Sequence, residues 1–248
     1  MEVSSVTQLD GVRLSLEVAL RPTAEPETVD RVAAIVSAFA DACAYGMCGG
    51  AEFRPEDATR PEVLRAGAAT PLRFDIATRN VAPGSIRLLL GMLKGDFGLN
   101  RVTASLAATV AYGPPPRLVR PVADERQIAV PGLFSPLGFA VTRHEVARSR
   151  GTRLVRVRFR APVPDEYATR LAAIQKTWVL VCHGGCAEGE TPAHESFLSA
   201  GNGYLVSPRI YEIPISMFEA PEHAFDPLLN ALRRCSLMDH TVEQVQIW

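Results

Sequence analysis

Arg170-Leu171-Ala172-Ala173-Ile174, continuing to Trp178 and Cys182, repeats a stretch 139 residues earlier: Arg31-Val32-Ala33-Ala34-Ile35, Phe39 and Cys43. Arg31 falls on Arg170, Ile35 on Ile174, Phe39 on Trp178 and Cys43 on Cys182. In both copies the apolar residues recur every three or four positions, which marks an amphipathic helix with one buried stripe. In the first copy that stripe is Val29, Val32, Ile35, Val36, Phe39 and Cys43. A helix used twice at one offset signals an internal duplication.

Outward from each helix the pattern changes period. Val12, Leu14, Leu16, Val18 and Leu20 alternate with polar or small residues, as in a half-buried strand. Val155, Val157 and Phe159 alternate with Arg156, Arg158 and Arg160 ahead of the second helix. Pro26-Glu27 and Pro164-Asp165-Glu166 supply helix-start chemistry, while Gly46 and Gly184-Gly185 supply stops. Residues 72–81 and 210–217 read as further strands, with Tyr211-Glu212-Ile213 echoing Phe74-Asp75-Ile76. Helices opening at Pro83 and Pro221 carry Leu89, Leu90 and Leu93 against Leu228, Leu229 and Leu232. Residues 102–110 and 242–248 close the two halves as strands, the latter placing Trp248 in the core. Residues 51–70 read as loop with a short strand or turn of helix, and Gly203 to Val206 as an extra short strand.

The expected fold is therefore α+β: two ferredoxin-like (β-α-β-β-α-β) repeats, with helices packed on one face of antiparallel-rich sheets. The expected division is 1–111, a proline-rich connector at 112–150, and 151–248. Tyr112-Gly113-Pro114-Pro115-Pro116 opens that connector as a rigid extended segment.

Composition bounds the function. The chain has 248 residues, 47% apolar and 21% charged, which suits a globular protein with a real core. A net charge of -1 argues against a globally basic nucleic-acid binder but leaves room for a local patch. Polar residues 1–10 show no basic-then-apolar leader, and no apolar run is long enough for a membrane span. Five cysteines, an odd number, read as reduced thiols, so the expected location is the cytoplasm.

Chemistry is sparsely signalled. Cys182, His183 and Cys186, joined by Cys43 and Cys48 from the first repeat, offer soft ligands for a zinc ion between the repeats. Their spacing is not that of a knuckle, and Cys43 and Cys182 lie on the buried stripes, where cysteine serves as a small hydrophobe. The same groups are the thiol-enzyme alternative, with Cys48 or Cys186 as nucleophile, but a helix C-terminus disfavours a thiolate. Arg156, Arg158 and Arg160 form a basic strand face, with Arg143, Arg148, Arg150 and Arg153 nearby. That face suits an acidic protein surface or RNA phosphates, although no aromatic residue interleaves with it in the sequence to stack bases. Asp96-Phe97-Gly98 and His194-Glu195 lack the partners that would make them catalytic motifs. The expectation is a non-catalytic binding protein with a protein partner and no resident cofactor, an inhibitor or accessory subunit. The alternatives are a Cys/His enzyme or metal protein, and a nucleic-acid binder through the arginine face.

Overall fold

Alternating apolar residues place strand β1 (Val12–Leu20) at the centre of the first sheet. It pairs antiparallel with β3 (Leu72–Thr78) on one side and β4 (Leu99–Ala108) on the other. Strand β2 (Glu62–Ala66) extends the sheet beyond β3 and β5 (Arg117–Pro121) beyond β4, giving the order β2-β3-β1-β4-β5. In the second sheet β7 (Thr152–Phe159) is central, flanked antiparallel by β10 (Ile210–Phe218) and β11 (Val242–Ile247). Strands β8 (Phe197–Ala200) and β9 (Tyr204–Ser207) both run along β10. Strand β6 (Ala140–Arg143) joins β11 in parallel, so this sheet is mixed. This computed structural model describes residues 12–23, 26–47, 62–66, 72–78, 89, 92–93, 99–108, 117–121, 137–144, 152–182, 197–218 and 222–248.

Three α-helices are described over their full length: α1 (Glu27–Ala44), α2 (Asp165–Val181) and α3 (Asp226–Met238). A 3-10 turn at Glu222–Phe225 leads into α3. The fold is thus α+β with antiparallel and mixed sheets. Glu27 and Asp30 in the first turn of α1, and Asp165 and Glu166 in that of α2, complement the helix dipole. Gly46 stops α1 in the left-handed region at φ 74°. Its N–H donates to the Cys43 carbonyl at 3.0 Å and the Met47 N–H to the Ala42 carbonyl at 2.9 Å, which satisfies carbonyls the helix end leaves over. Strand β2 falls in the segment read as loop with a short strand, and β9 overlaps the extra strand expected near Gly203. Of the helix expected after Pro83, only Leu89, Met92 and Leu93 are described; they are helical and buried. The glycines at 184 and 185 lie outside the described residues.

The core runs from the inward face of one sheet, through the helices, to that of the other. Leu16, Val18, Phe74 and Ile76 face it from the first sheet, and Val155, Val157, Ile213, Ile215 and Val245 from the second. Helices α1 and α2 pack on each other, and α2 packs on α3. The stripe of α2 buries Leu171, Ile174, Trp178 and Val181, each side chain stabilising the fold by about 1.5–3 kcal/mol. Two polar side chains tie this core together. The Trp178 Nε1–H donates to the Ala224 carbonyl at 2.7 Å while its ring stacks on Phe225. Asn230 Nδ2 donates to the Met47 carbonyl at 3.3 Å, tying α3 to the turn after α1.

Trp248 is not core. Strand β11 carries a register shift between Val242 and Gln244, so Val242, Val245 and Ile247 point inward. Simple alternation from Val242 would have turned Trp248 inward too; the extra residue turns it to the outer face.

Candidate functional site

The outer face of the second sheet carries a line of side chains that crosses five strands. Cross-strand register puts Tyr204 opposite Glu212, Glu212 opposite Arg156, Arg156 opposite Gln246, and Gln246 opposite Thr142. Two guanidinium nitrogens of Arg156 contact Glu212 Oε1, Nε at 2.6 Å and Nη2 at 2.5 Å. The Tyr204 hydroxyl donates to the other carboxylate oxygen at 3.3 Å. Glu212 is only 6% exposed although it faces outward, because these two neighbours cover it.

On its other side the Arg156 guanidinium lies over the Trp248 ring, 4.8 Å from the centroid. Mutual hydrogen bonds between Trp248 and Leu154, at 2.7 and 3.2 Å, fix this last residue as an added rung of the β7 ladder. The exposed His144 meets the indole edge-on at 5.9 Å. One continuous system therefore runs from Tyr204 through Glu212, Arg156 and Trp248 to His144. Tyr204 is 50% exposed and Trp248 half-buried, so both offer aromatic surface outward. Around the turn at residues 208–209, Arg158, Arg160 and Arg209 are exposed and make no ion pair among the described residues. Neither the family models nor the curated proteins contain a match to this chain.

Of the arginines read from sequence, Arg156 is thus an internal partner of Glu212, and Arg158 and Arg160 are the outward charges. The expectation that no aromatic residue accompanies this face is corrected. Tyr204 and Trp248 reach it from neighbouring strands, a proximity that sequence separation hides. Glu212 was also missed as part of the site, although its alternation with inward Tyr211 and Ile213 placed it there. The first sheet differs in chemistry: Ser15 donates to Asp75 at 2.7 Å and Arg73 pairs with Glu17 at 3.7 Å.

Arg153 and Arg143 leave the basic face altogether. Arg153 points to the inward side of β7, pairs with Glu222 and lies over the Phe225 ring. Arg143 pairs with Asp226 at 3.0 Å. Arg148 and Arg150 lie outside the described residues.

The cysteines divide in the same way. Cys43 and Cys182 are buried thiols outside any disulfide, and the Cys182 S–H donates to the Ala224 carbonyl at 3.4 Å. Cys48, His183 and Cys186, the rest of the zinc and thiol-enzyme readings, lie outside the described residues. Among the described residues no group of three or more His, Cys, Asp or Glu is arranged to hold a metal ion. Burial pushes the Cys235 thiol above its ordinary value, so this third buried cysteine is a core residue rather than a nucleophile.

Proposed function

We propose that this chain is a duplicated pair of ferredoxin-like repeats that acts as a non-catalytic binding protein, engaging an acidic protein surface through the outer face of its second sheet. The duplication rests on the 139-residue offset together with a repeated strand order: β4-β1-β3-β2 in one sheet and β11-β7-β10-β8 in the other. Buried thiols outside any disulfide favour a reducing, cytoplasmic setting, and among the described residues no helix is long and apolar enough to cross a membrane.

The observation that carries the binding reading is the line Tyr204–Glu212–Arg156–Trp248 beside the exposed Arg158, Arg160 and Arg209. Trp, Tyr and Arg are the residue types that dominate binding energy at protein interfaces. Here Glu212 holds Arg156, and Arg156 holds the indole, so little side-chain freedom remains to be lost on binding. Arg158, Arg160 and Arg209 outnumber the exposed Glu243 of β11 on this face, which favours an acidic partner and predicts salt-sensitive association.

Affinity capture from the native cell should return one protein in about equal amount, released by salt. A chain carrying Arg158→Glu and Arg160→Glu should lose it with unchanged circular dichroism, and Trp248→Ala should weaken binding by about 30-fold, the equivalent of roughly 2 kcal/mol. Recovery of the chain alone would sink the reading. RNA that elutes with salt and depends on the same arginines would replace the protein partner with a nucleic acid.

A further inference from the structure

On a different side of the second sheet, an open cleft of about 700 Å³ lies between β6 and the start of α3, lined by Leu137, Val141, Arg143, Glu222, His223, Asp226 and Leu229. Its volume is in the range of small-molecule sites. The charges at its base alternate along a chain: Arg153 to Glu222, Glu222 to Arg143, Arg143 to Asp226. Arg143 anchors this chain with Nη1 on the Glu222 carbonyl at 3.1 Å and Nη2 on Asp226 at 3.0 Å. Its side chain stays 31% exposed and that of Glu222 54% exposed, so both present polar edge to the opening.

We propose that this cleft binds a zwitterionic amino acid with an apolar side chain. The carboxylate would lie against Arg143 and His223, the ammonium against Glu222 and Asp226, and the hydrocarbon against Leu137, Val141 and Leu229. The argument is charge balance. Arg143, Glu222 and Asp226 line the cleft, and the buried Arg153 behind Glu222 brings the group to no net charge, so a ligand bearing a single charge uses only one of the two signs on offer. A dipolar ligand matches both signs at once and brings no net charge. Burial pushes the Asp226 carboxyl above the ordinary carboxylate range, against the opposite pull of Arg143 and His223. An ammonium beside Asp226 would favour its ionised form, as Arg143 already does at 3.0 Å. A clamp holding edge strand β6 to α3 accounts for the Arg143–Asp226 pair, but not for open volume walled by apolar side chains.

Calorimetric titration of the full chain tests this with three probes: L-leucine, 4-methylpentanoate (leucine without its amine) and 3-methylbutylamine (leucine without its carboxylate). Saturable one-site binding of leucine is expected, with both truncated probes at least about 10-fold weaker. Arg143→Gln should weaken leucine by a similar factor. His223→Ala, at an exposed position, should weaken it several-fold and decides the matter if Arg143→Gln does not fold. The Arg158→Glu/Arg160→Glu chain should keep full leucine affinity, which separates this site from the proposed partner surface. Either truncated probe binding as tightly as leucine overturns the proposal, as does absence of saturable leucine binding at about 10 mM.

Discussion

Tyr211 shows how much one residue can report on this fold. It is 1% exposed on the inward side of β10, and its hydroxyl donates to Gln175 Oε1 at 3.5 Å. The same oxygen accepts the Gly203 N–H at 3.2 Å, and a Cβ on Gly203 would lie 2.7 Å from it, so only glycine fits there. Burial pushes the Tyr211 phenol up to about 12 from its ordinary 10.0, and the Tyr167 phenol is pushed up as well, mainly by burial. Above pH 10 the unfolded chain releases these protons while the folded chain keeps them, so stability falls as pH rises. The Tyr211 contribution is fully present below pH 10 and is lost by about pH 12, at roughly 1.4 kcal/mol per pH unit. Denaturant titrations between pH 9 and about 11.5 should show this slope, and Tyr211→Phe should remove the share of one tyrosine; an unchanged slope would contradict it. At this scale the sequence is legible where one period holds throughout. Of the six residues that helical spacing placed on the buried stripe of α1, Val32, Val36, Phe39 and Cys43 are buried, while Val29 and Ile35 are only partly so. Alternation misplaced Trp248, because a single extra residue in β11 reverses the parity of every side chain after it.

Elements were legible in proportion to their length. Helices α1 and α2 and strands β1, β7 and β10 carry enough apolar repeats for the period to show. Strands β6, β8 and β9 have four residues each, too short for alternation alone to separate a strand from a turn, and of the three only β9 overlaps a strand read from the sequence. Their existence depends on β10 and β11 offering an edge, which is tertiary information. The site is subject to the same limit: the Arg156 side was visible in one strand, while Tyr204, Glu212 and Trp248 arrive from three others. Helix α2 is the element whose loss should be felt most. Its Trp178 bonds the Ala224 carbonyl and stacks on Phe225, so it orients the 3-10 turn that carries Glu222 into the cleft. Trp178→Phe leaves the Ala224 carbonyl with only the weak Cys182 S–H donor and leaves part of the indole volume empty. A loss of about 2–4 kcal/mol in chemical denaturation is expected, together with weaker leucine binding. An isostable variant would mean that the indole nitrogen is not holding that turn.

At the scale of the molecule, the two sheets share one interior. The core extends from Leu16 and Phe74 in the first sheet to Val155 and Val245 in the second, through contacts between α1 and α2. Asn230 adds a buried polar tie from α3 to Met47, and Gly46 lies against the Arg234 side chain, 3.3 Å from where its Cβ would be. Neither half can separate without exposing apolar helix surface and leaving the Met47 carbonyl without this donor. Unfolding should therefore be one cooperative transition, in contrast to two repeats joined by a loose tether. The two tryptophans provide separate views of it, since Trp178 is buried between helices and Trp248 lies on the outer sheet face. Within each single-tryptophan variant, far-ultraviolet circular dichroism and fluorescence should give coincident urea midpoints, although the variant that lacks Trp178 unfolds earlier. Asn230→Ala should lower all of them together by the equivalent of about 1–3 kcal/mol. Were the repeats independent, Asn230→Ala would shift only some midpoints, and a second transition would emerge in the dichroism that Trp178 does not report.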